Sequence, residues 1–280
     1  MVQDVPKVAA VQDISCVGRC SLTVIIPVLA MLGIQVCPLP TAVLSTHLGG
    51  FKDLAFCDFT EHMPDFFHHW QQENIVFDSI YSGFLASERQ IEIVKEFIDT
   101  FAKPGSLVLV DPVMGDGGRL YSTYTPAMQN KMRMLVGKAG VITPNYTEAC
   151  FLLGETYQAE HVDMDTTKKW LVRLAELGPE KVVMTGVPCD GQKVANIAYD
   201  RNSGETWEFM HDFIPVSYPG TGDIFASVLL GLLLRGRPLT KAMEQAAHFV
   251  VKAIDVTVKA RTPVREGVLL EKVLSQLYFV

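Results

Sequence analysis

The sequence predicts an α/β fold, a mostly parallel central sheet with helices on both faces plus an antiparallel hairpin. Three observations point there. Short β-rich runs alternate with amphipathic helical stretches along most of the chain, and parallel neighbours need such crossover connections. Two alternating runs, Val194 to Tyr199 and Thr206 to Met210, flank the turn-rich D-R-N-S-G-E and read as a hairpin. Finally, 280 residues of which 49% are apolar suffice to bury a large core, so one domain spanning 1–280 is expected.

In order, Lys7 to Val11 reads as a buried strand, followed by a loop from Gln12 to Cys20 and a helix from Ser21 to Leu32. Gln35 to Leu39 is the second strand, His47 to Phe51 a loop, and Asp58 to Gln72 a helix. Asp78 to Tyr81 is a short strand ending at Ser82 and Gly83. Ser87 and Gln90 form a capping box that opens a helix to Phe101. Leu107 to Val110 is the clearest buried strand and stops at Asp111-Pro112, where the chain becomes M-G-D-G-G-R. A helix from Thr125 to Val136, a strand from Val141 to Thr143 and a helix from Thr147 to Leu153 follow. Thr166 to Leu177 is helical, Lys181 to Met184 is a strand, and Thr185-Gly186 closes it. After the hairpin come helices over Gly222 to Leu234, Thr240 to Val258 and Val264 to Leu277.

The formal net charge of -7, with Lys and Arg dispersed, argues against nucleic-acid or anionic-membrane partners. The segment M-V-Q-D-V-P-K lacks a cationic stretch before an apolar core, and no run reaches the length of a membrane span, so a cytoplasmic protein is expected. The six cysteines contain no C-x-x-C pair and are read as reduced and structural. No Cys or His pair at ligand spacing completes a metal site begun by Cys16 and Cys20.

Parallel sheets bind ligands beyond the carboxyl ends of their strands. Asp13, Ser15, Ser45, His47, Ser82, Gly83, Asp111, Asn145, Glu148 and Thr185 follow successive predicted strands and are the candidate site. Each has a plainer reading. On composition alone Asp13 reads as a solvated turn residue and His47 as a surface histidine; Asp111 reads as a strand stop, although an acidic residue at that place is also a common Mg2+ position. Asn145 and Glu148 suit an N-cap and its box partner. In S-Y-P-G-T-G-D-I-F-A-S, Ser217 to Ser227, a Pro-Gly breaker feeds a helix start. Such a terminus offers free N–H groups and a positive dipole end that attract anions and hold Asp223 ionised, either as a cap or as a base.

Y-P-G-T-G-D-I-F-A-S, D-P-V-M-G-D at Asp111 to Asp116, I-T-P-N-Y-T-E-A at Ile142 to Ala149 and Y-S-G-F-L at Tyr81 to Leu85 together resemble the ribokinase superfamily. A-V-Q-D-I-S-C-V-G at Ala10 to Gly18 and T-A-V-L-S-T-H at Thr41 to His47 resemble its pyridoxal kinase branch. The resemblance implies a ribokinase-like fold and a vitamin B6 kinase that uses ATP and Mg2+ to phosphorylate the 5′-hydroxymethyl group of pyridoxal, pyridoxine or pyridoxamine, commonly as a homodimer. By the same resemblance Asp223 is the catalytic base, and Gly220, Thr221 and Gly222 form the anion hole. Asp111, Asn145 and Glu148 surround Mg2+ and the ATP phosphates, with Asp111 and Glu148 as metal ligands and Thr143 and Thr185 nearby. Asp13, Ser45, His47, Ser82 and Phe84 face the substrate ring.

The chain departs from that branch in carrying Asp13 for a serine, Thr185 for a frequent lysine and Phe84 for a common tyrosine. Asp13 would favour a protonated ring nitrogen or an ammonium, and hence pyridoxamine or pyridoxine over pyridoxal. A hydroxymethylpyrimidine kinase shares the Q-D start and G-T-G-D, but Thr41 to Gly50 lacks its glutamine-containing pattern. A sugar kinase is disfavoured by a short first loop with few diol-binding groups. A non-catalytic nucleotide- or vitamer-binding sensor has no need of Asp223 beside an anion site.

Overall fold

The computed structural model describes residues 5–160, 162–190 and 192–279; residues 1–4, which open the M-V-Q-D-V-P-K segment, lie outside it. The chain forms two compact units, Met1–Tyr81 with Phe101–Ser106 and Pro215–Val280, and Ser82–Thr100 with Leu107–Ile214.

The first unit opens with β1 (Lys7–Ser15), α1 (Leu22–Met31), β2 (Gln35–Leu44), β3 (Phe56–Asp58), α2 (Met63–Gln72) and β4 (Ser79–Ser82, whose last residue belongs to the second unit), with strand order β4-β1-β2-β3. β1 pairs in parallel with β2 from Lys7↔Gln35 to Ser15↔Leu44, with an irregularity between Gln12 and Ile14. It therefore runs four residues beyond the predicted end at Val11. Gln12 and Asp13 look like loop residues, yet both are buried strand residues. β2 likewise continues past Leu39. Pro38 and Pro40 are tolerated because they precede Ala42, where pairing with β3 begins. Asp58 ends β3 and does not open a helix.

The second unit contains α3 (Glu88–Phe101, whose last residue belongs to the first unit), β5 (Leu107–Val110), the small pair β6 (Gly115–Asp116) and β7 (Arg119–Leu120), α4 (Pro126–Val136) and β8 (Val141–Ile142). There follow α5 (Tyr146–Leu153), α6 (Met164–Glu176), β9 (Lys181–Cys189), β10 (Lys193–Asp200) and β11 (Glu205–Asp212). β5, β8 and β9 run parallel, and β9, β10 and β11 are antiparallel. The predicted hairpin is β10–β11. Thr185-Gly186 does not close β9. The two residues oppose Asn196 alone, forming a bulge in which Gly186 takes φ 69° and donates its N–H to Asn196 Oδ1 at 3.2 Å.

The chain then returns to the first unit as α7 (Thr221–Leu234) and α8 (Leu239–Ala260). α7 is buried from Ile224 to Leu232, each large apolar side chain contributing about 1.5–3 kcal/mol. Gly231 lets α1 approach, since a Cβ there would collide with Leu32. This packing fixes the axis on which Asp223 is carried. The predicted last helix is instead three 3-10 turns, Val264–Glu266, Leu270–Lys272 and Leu274–Phe279, interrupted by Gly267 at φ 73°.

Candidate active site

In the first unit, Gly220 precedes α7 with φ 81°, and a Cβ at this position would collide with the Arg19 carbonyl. Only glycine lets the turn lie on that strand-to-helix loop. Thr221 Oγ1 donates to Tyr218 O at 3.0 Å and closes the turn. The N–H groups of Thr221, Gly222 and Asp223 head the helix without intrahelical acceptors, and a Cβ at Gly222 would meet open space. The predicted anion-binding residues are thus together.

Asp223 does not cap its own helix. Its Oδ2 accepts the Ser21 N–H at 2.7 Å. The residue keeps partial surface exposure, but its carboxyl is closely surrounded. Burial pushes its pKa up to about 7, with the charge of Asp13 adding to the rise and the Ser21 and Gln12 hydrogen-bonding groups opposing it. The carboxyl is therefore not held firmly ionised as expected: burial outweighs the Ser21 and Gln12 hydrogen-bonding groups. Gln12 is fully buried and approaches Asp223, while neither of its amide atoms closes a hydrogen bond among the described residues. Its signal was a polar residue inside an apolar strand.

Asp13 is buried and accepts the Ser15 hydroxyl at 3.0 Å; burial raises its pKa, with the Ser21 and Ser15 hydroxyls and His47 pulling against the rise. It is not a solvated turn residue. His47 is buried as well: Nδ1 accepts the Gly49 N–H at 3.0 Å, so Nε2 carries the proton and donates to Arg265 O at 2.6 Å. Ser45 is exposed, and its hydroxyl accepts the Ala55 N–H at 2.9 Å, holding the loop. Burial pushes the Cys20 thiol up to about 12, so it stays protonated beside Asp223 and Asp13. Among the described residues all six cysteines are free, but Cys16 and Cys57 are exposed, which corrects the purely structural reading.

In the second unit, Asn145 caps α5 and Glu148 completes the box: Asn145 Oδ1 accepts the Glu148 N–H at 2.8 Å, and Glu148 Oε2 accepts the Asn145 N–H at 2.8 Å. Glu148 Oε1 also accepts the Met114 N–H at 3.1 Å, and Asn145 Nδ2 donates to Gly115 O at 2.9 Å. Capping and site-building are therefore one arrangement. Burial and then the charge of Asp111 raise the Glu148 carboxyl well above the usual range, against the two N–H donors. Asp111 is buried; its Oδ1 accepts the Thr143 hydroxyl at 3.1 Å and its N–H donates to Ser82 O at 2.8 Å. Thr185 bridges to Asn145 and donates its N–H to Pro144 O at 3.0 Å.

Ser82 and Phe84 are buried, with Ser82 Oγ unpartnered among the described residues. Sequence reasoning missed the Met114 N–H and Tyr124, a buried phenol whose pKa is raised by burial and then by Glu148. Backbone donors leave no sequence signal, but Tyr124 stands in the same glycine-rich segment that follows Asp111. Among the described residues no three His, Cys, Asp or Glu side chains gather as a metal-binding group.

The sequence matches the family described as phosphomethylpyrimidine kinase over residues 69–266. A structure from Bacteroides thetaiotaomicron, named as a candidate phosphomethylpyrimidine kinase and solved with pyridoxal, is 44% identical with a TM-score of 0.94, covering 98% of this chain and 96% of that one. The pyridoxal kinase of Lactobacillus plantarum is 31% identical with a TM-score of 0.89, covering 98% of this chain and 97% of that one. A candidate pyridoxal kinase of Schizosaccharomyces pombe is 29% identical over 68% of this chain. The match spans 57% of that longer protein.

Proposed function

The chain belongs to the phosphomethylpyrimidine kinase family, and on that premise we propose that it is an ATP-dependent kinase of the ribokinase-like superfamily that phosphorylates the 5′-hydroxymethyl group of a B6 vitamer. Asp223 carries the reading: a carboxyl with a pKa of about 7, partly open to solvent, heads a helix with free N–H groups. A base is most useful when its pKa lies near the working pH. The substrate oxygen attacks the γ-phosphorus, the bond to the β-phosphate oxygen breaks, ADP leaves, and Asp223 accepts the hydroxyl proton. The N–H groups of Thr221 and Gly222 stabilise the negative charge on the transferring group, with Gly220 shaping the turn.

Asp13, Ser45, His47, Ser82 and Phe84 are assigned to the vitamer, and Asn145, Thr143 and Thr185 to the nucleotide side. Asp111 and Glu148 suit Mg2+, because the Glu148 carboxyl, whose pKa is raised by burial and then by the charge of Asp111, is relieved by a cation. Mg2+ normally takes one or two carboxylates and completes its shell with phosphate oxygens and water, offsetting the triphosphate charge. We take residues 1–280 as one kinase domain, acting in the cytoplasm as a homodimer. Among the described residues no helix is long and apolar enough to cross a membrane.

A second reading, a hydroxymethylpyrimidine kinase, is favoured by the description of the matched family. Measuring ADP release from Mg-ATP with pyridoxal, pyridoxine, pyridoxamine, hydroxymethylpyrimidine and ribose separates the two. Turnover highest with a B6 vitamer supports the proposal. Turnover highest with the pyrimidine installs the second reading, and tight ligand binding without ADP release points to a sensor.

A further inference from the structure

The segment from Arg19 to Ser21 joins three parts of the first unit. The Arg19 carbonyl lies against Gly220, and the Ser21 N–H binds Asp223 at 2.7 Å. From the other side, Arg19 Nε donates to both Glu271 oxygens at 2.9 Å, and Nη1 donates to Glu266 O at 3.0 Å. Gly267, between them, is packed so closely that a Cβ would stand 2.9 Å from Arg19 O and 3.0 Å from Arg19 Cβ. The same C-terminal segment accepts the His47 Nε2 proton at Arg265 O and lays the Arg265 guanidinium over Phe51, 5.1 Å from the ring centre.

We infer that Arg19 is a positioning residue: gripped by Glu266 and Glu271, it holds the Ser21 N–H on the Asp223 carboxylate and the Gly220 turn in register. This inference rests on the assignment of Asp223 as the base. A guanidinium is suited to the task because its fixed fork serves a carboxylate and a carbonyl at once, which an ammonium does not reproduce. The Arg19–Glu271 pair is partly exposed, with side-chain exposures of 27% and 66%. Its worth as plain stability is accordingly small, and its loss is read in geometry. Among the described residues, Asp13 and the Cys20 thiol are titratable groups that interact with Asp223.

The test uses the full chain with Arg19→Met and Glu271→Gln, and Lys241→Gln as control. Glu271 is exposed, so its variant folds. First, hydrogen exchange of the Ser21 amide is followed by NMR without substrate, and about tenfold faster exchange is expected in both variants. Second, with Mg-ATP and a B6 vitamer, kcat falls about tenfold while KM for ATP stays within about twofold. The acid limb of the kcat profile moves to higher pH, because a hydrogen bond to the charged form is lost. Unchanged Ser21 exchange overturns the inference, as does faster exchange with unchanged kcat and pH profile. If the wild type phosphorylates none of the alcohols, the kinase reading fails by itself, and Ser21 exchange alone decides whether the grip exists.

Discussion

The two units place an acidic residue at the same position of a helix, third in α7 for Asp223 and third in α5 for Glu148, and the residue before each helix separates their fates. Asn145 gives α5 a side-chain cap, and Glu148 folds back onto the Asn145 N–H while its other oxygen takes the Met114 N–H. It is tied down on both oxygens and buried against Asp111. Gly220 gives α7 no side-chain cap, and the shorter Asp223 reaches the Ser21 N–H instead, retaining exposure. One carboxyl is fixed, as the cation-ligand role proposed for it requires; the other has a raised pKa and partial exposure, which suit the proposed proton acceptor.

The largest effect is expected at Asp223. Asp223→Asn should lower ADP release about 10²–10⁴-fold while ATP affinity, measured by calorimetry, stays within about threefold; substantial residual turnover would falsify the base assignment. The same variant should gain stability above about pH 7, on the order of 1–3 kcal/mol. The sign follows from the raised folded-state pKa: the folded protein keeps a proton that the unfolded chain releases near its ordinary value of 3.8. Wild-type stability therefore falls as pH rises from about 4 to about 7, and the advantage of Asn should vanish below that window in denaturant titrations.

Glu148→Gln should raise the Mg2+ concentration for half-maximal rate about tenfold or more, with the Asp223 acid limb unmoved. An unchanged Mg2+ requirement would remove Glu148 from the cation site. Asp13→Ser should move vitamer preference about tenfold toward pyridoxal and shift the acid limb to lower pH, since a like charge beside Asp223 is lost. Equal efficiency on all three vitamers before and after the change would contradict this role. The smallest effect is at the cap. Asn145→Ala should cost about 1 kcal/mol of stability, read as a lower denaturation midpoint, and an unaltered midpoint would mean that the box contributes little.

The α/β class, the hairpin and most helices were legible because period and turn chemistry are local. The misreadings have two causes, polar residues buried inside an element and glycines whose backbone conformation the sequence does not reveal. Gln12 and Asp13 are polar yet buried within β1, and Gly186 marks a bulge that sequence cannot distinguish from a strand end. Val264 to Leu277 has helix-like spacing, but Gly267 at φ 73° breaks it into 3-10 turns around Arg19. The candidate residues were read from strand ends and motif, which are local features of the sequence. The electrostatics were not legible, because the helix start at Asp223 is visible in sequence while the burial that raises its pKa is a property of packing.

The most direct test of Asp223 as the proton acceptor is the pH dependence of kcat/KM for a B6 vitamer at saturating Mg-ATP. With Asp223 as the base, kcat/KM falls about tenfold per pH unit below a pKa of about 7, and the fall moves to lower pH in Asp13→Ser. A profile flat down to about pH 5, where an ordinary carboxylate is still ionised, would contradict it.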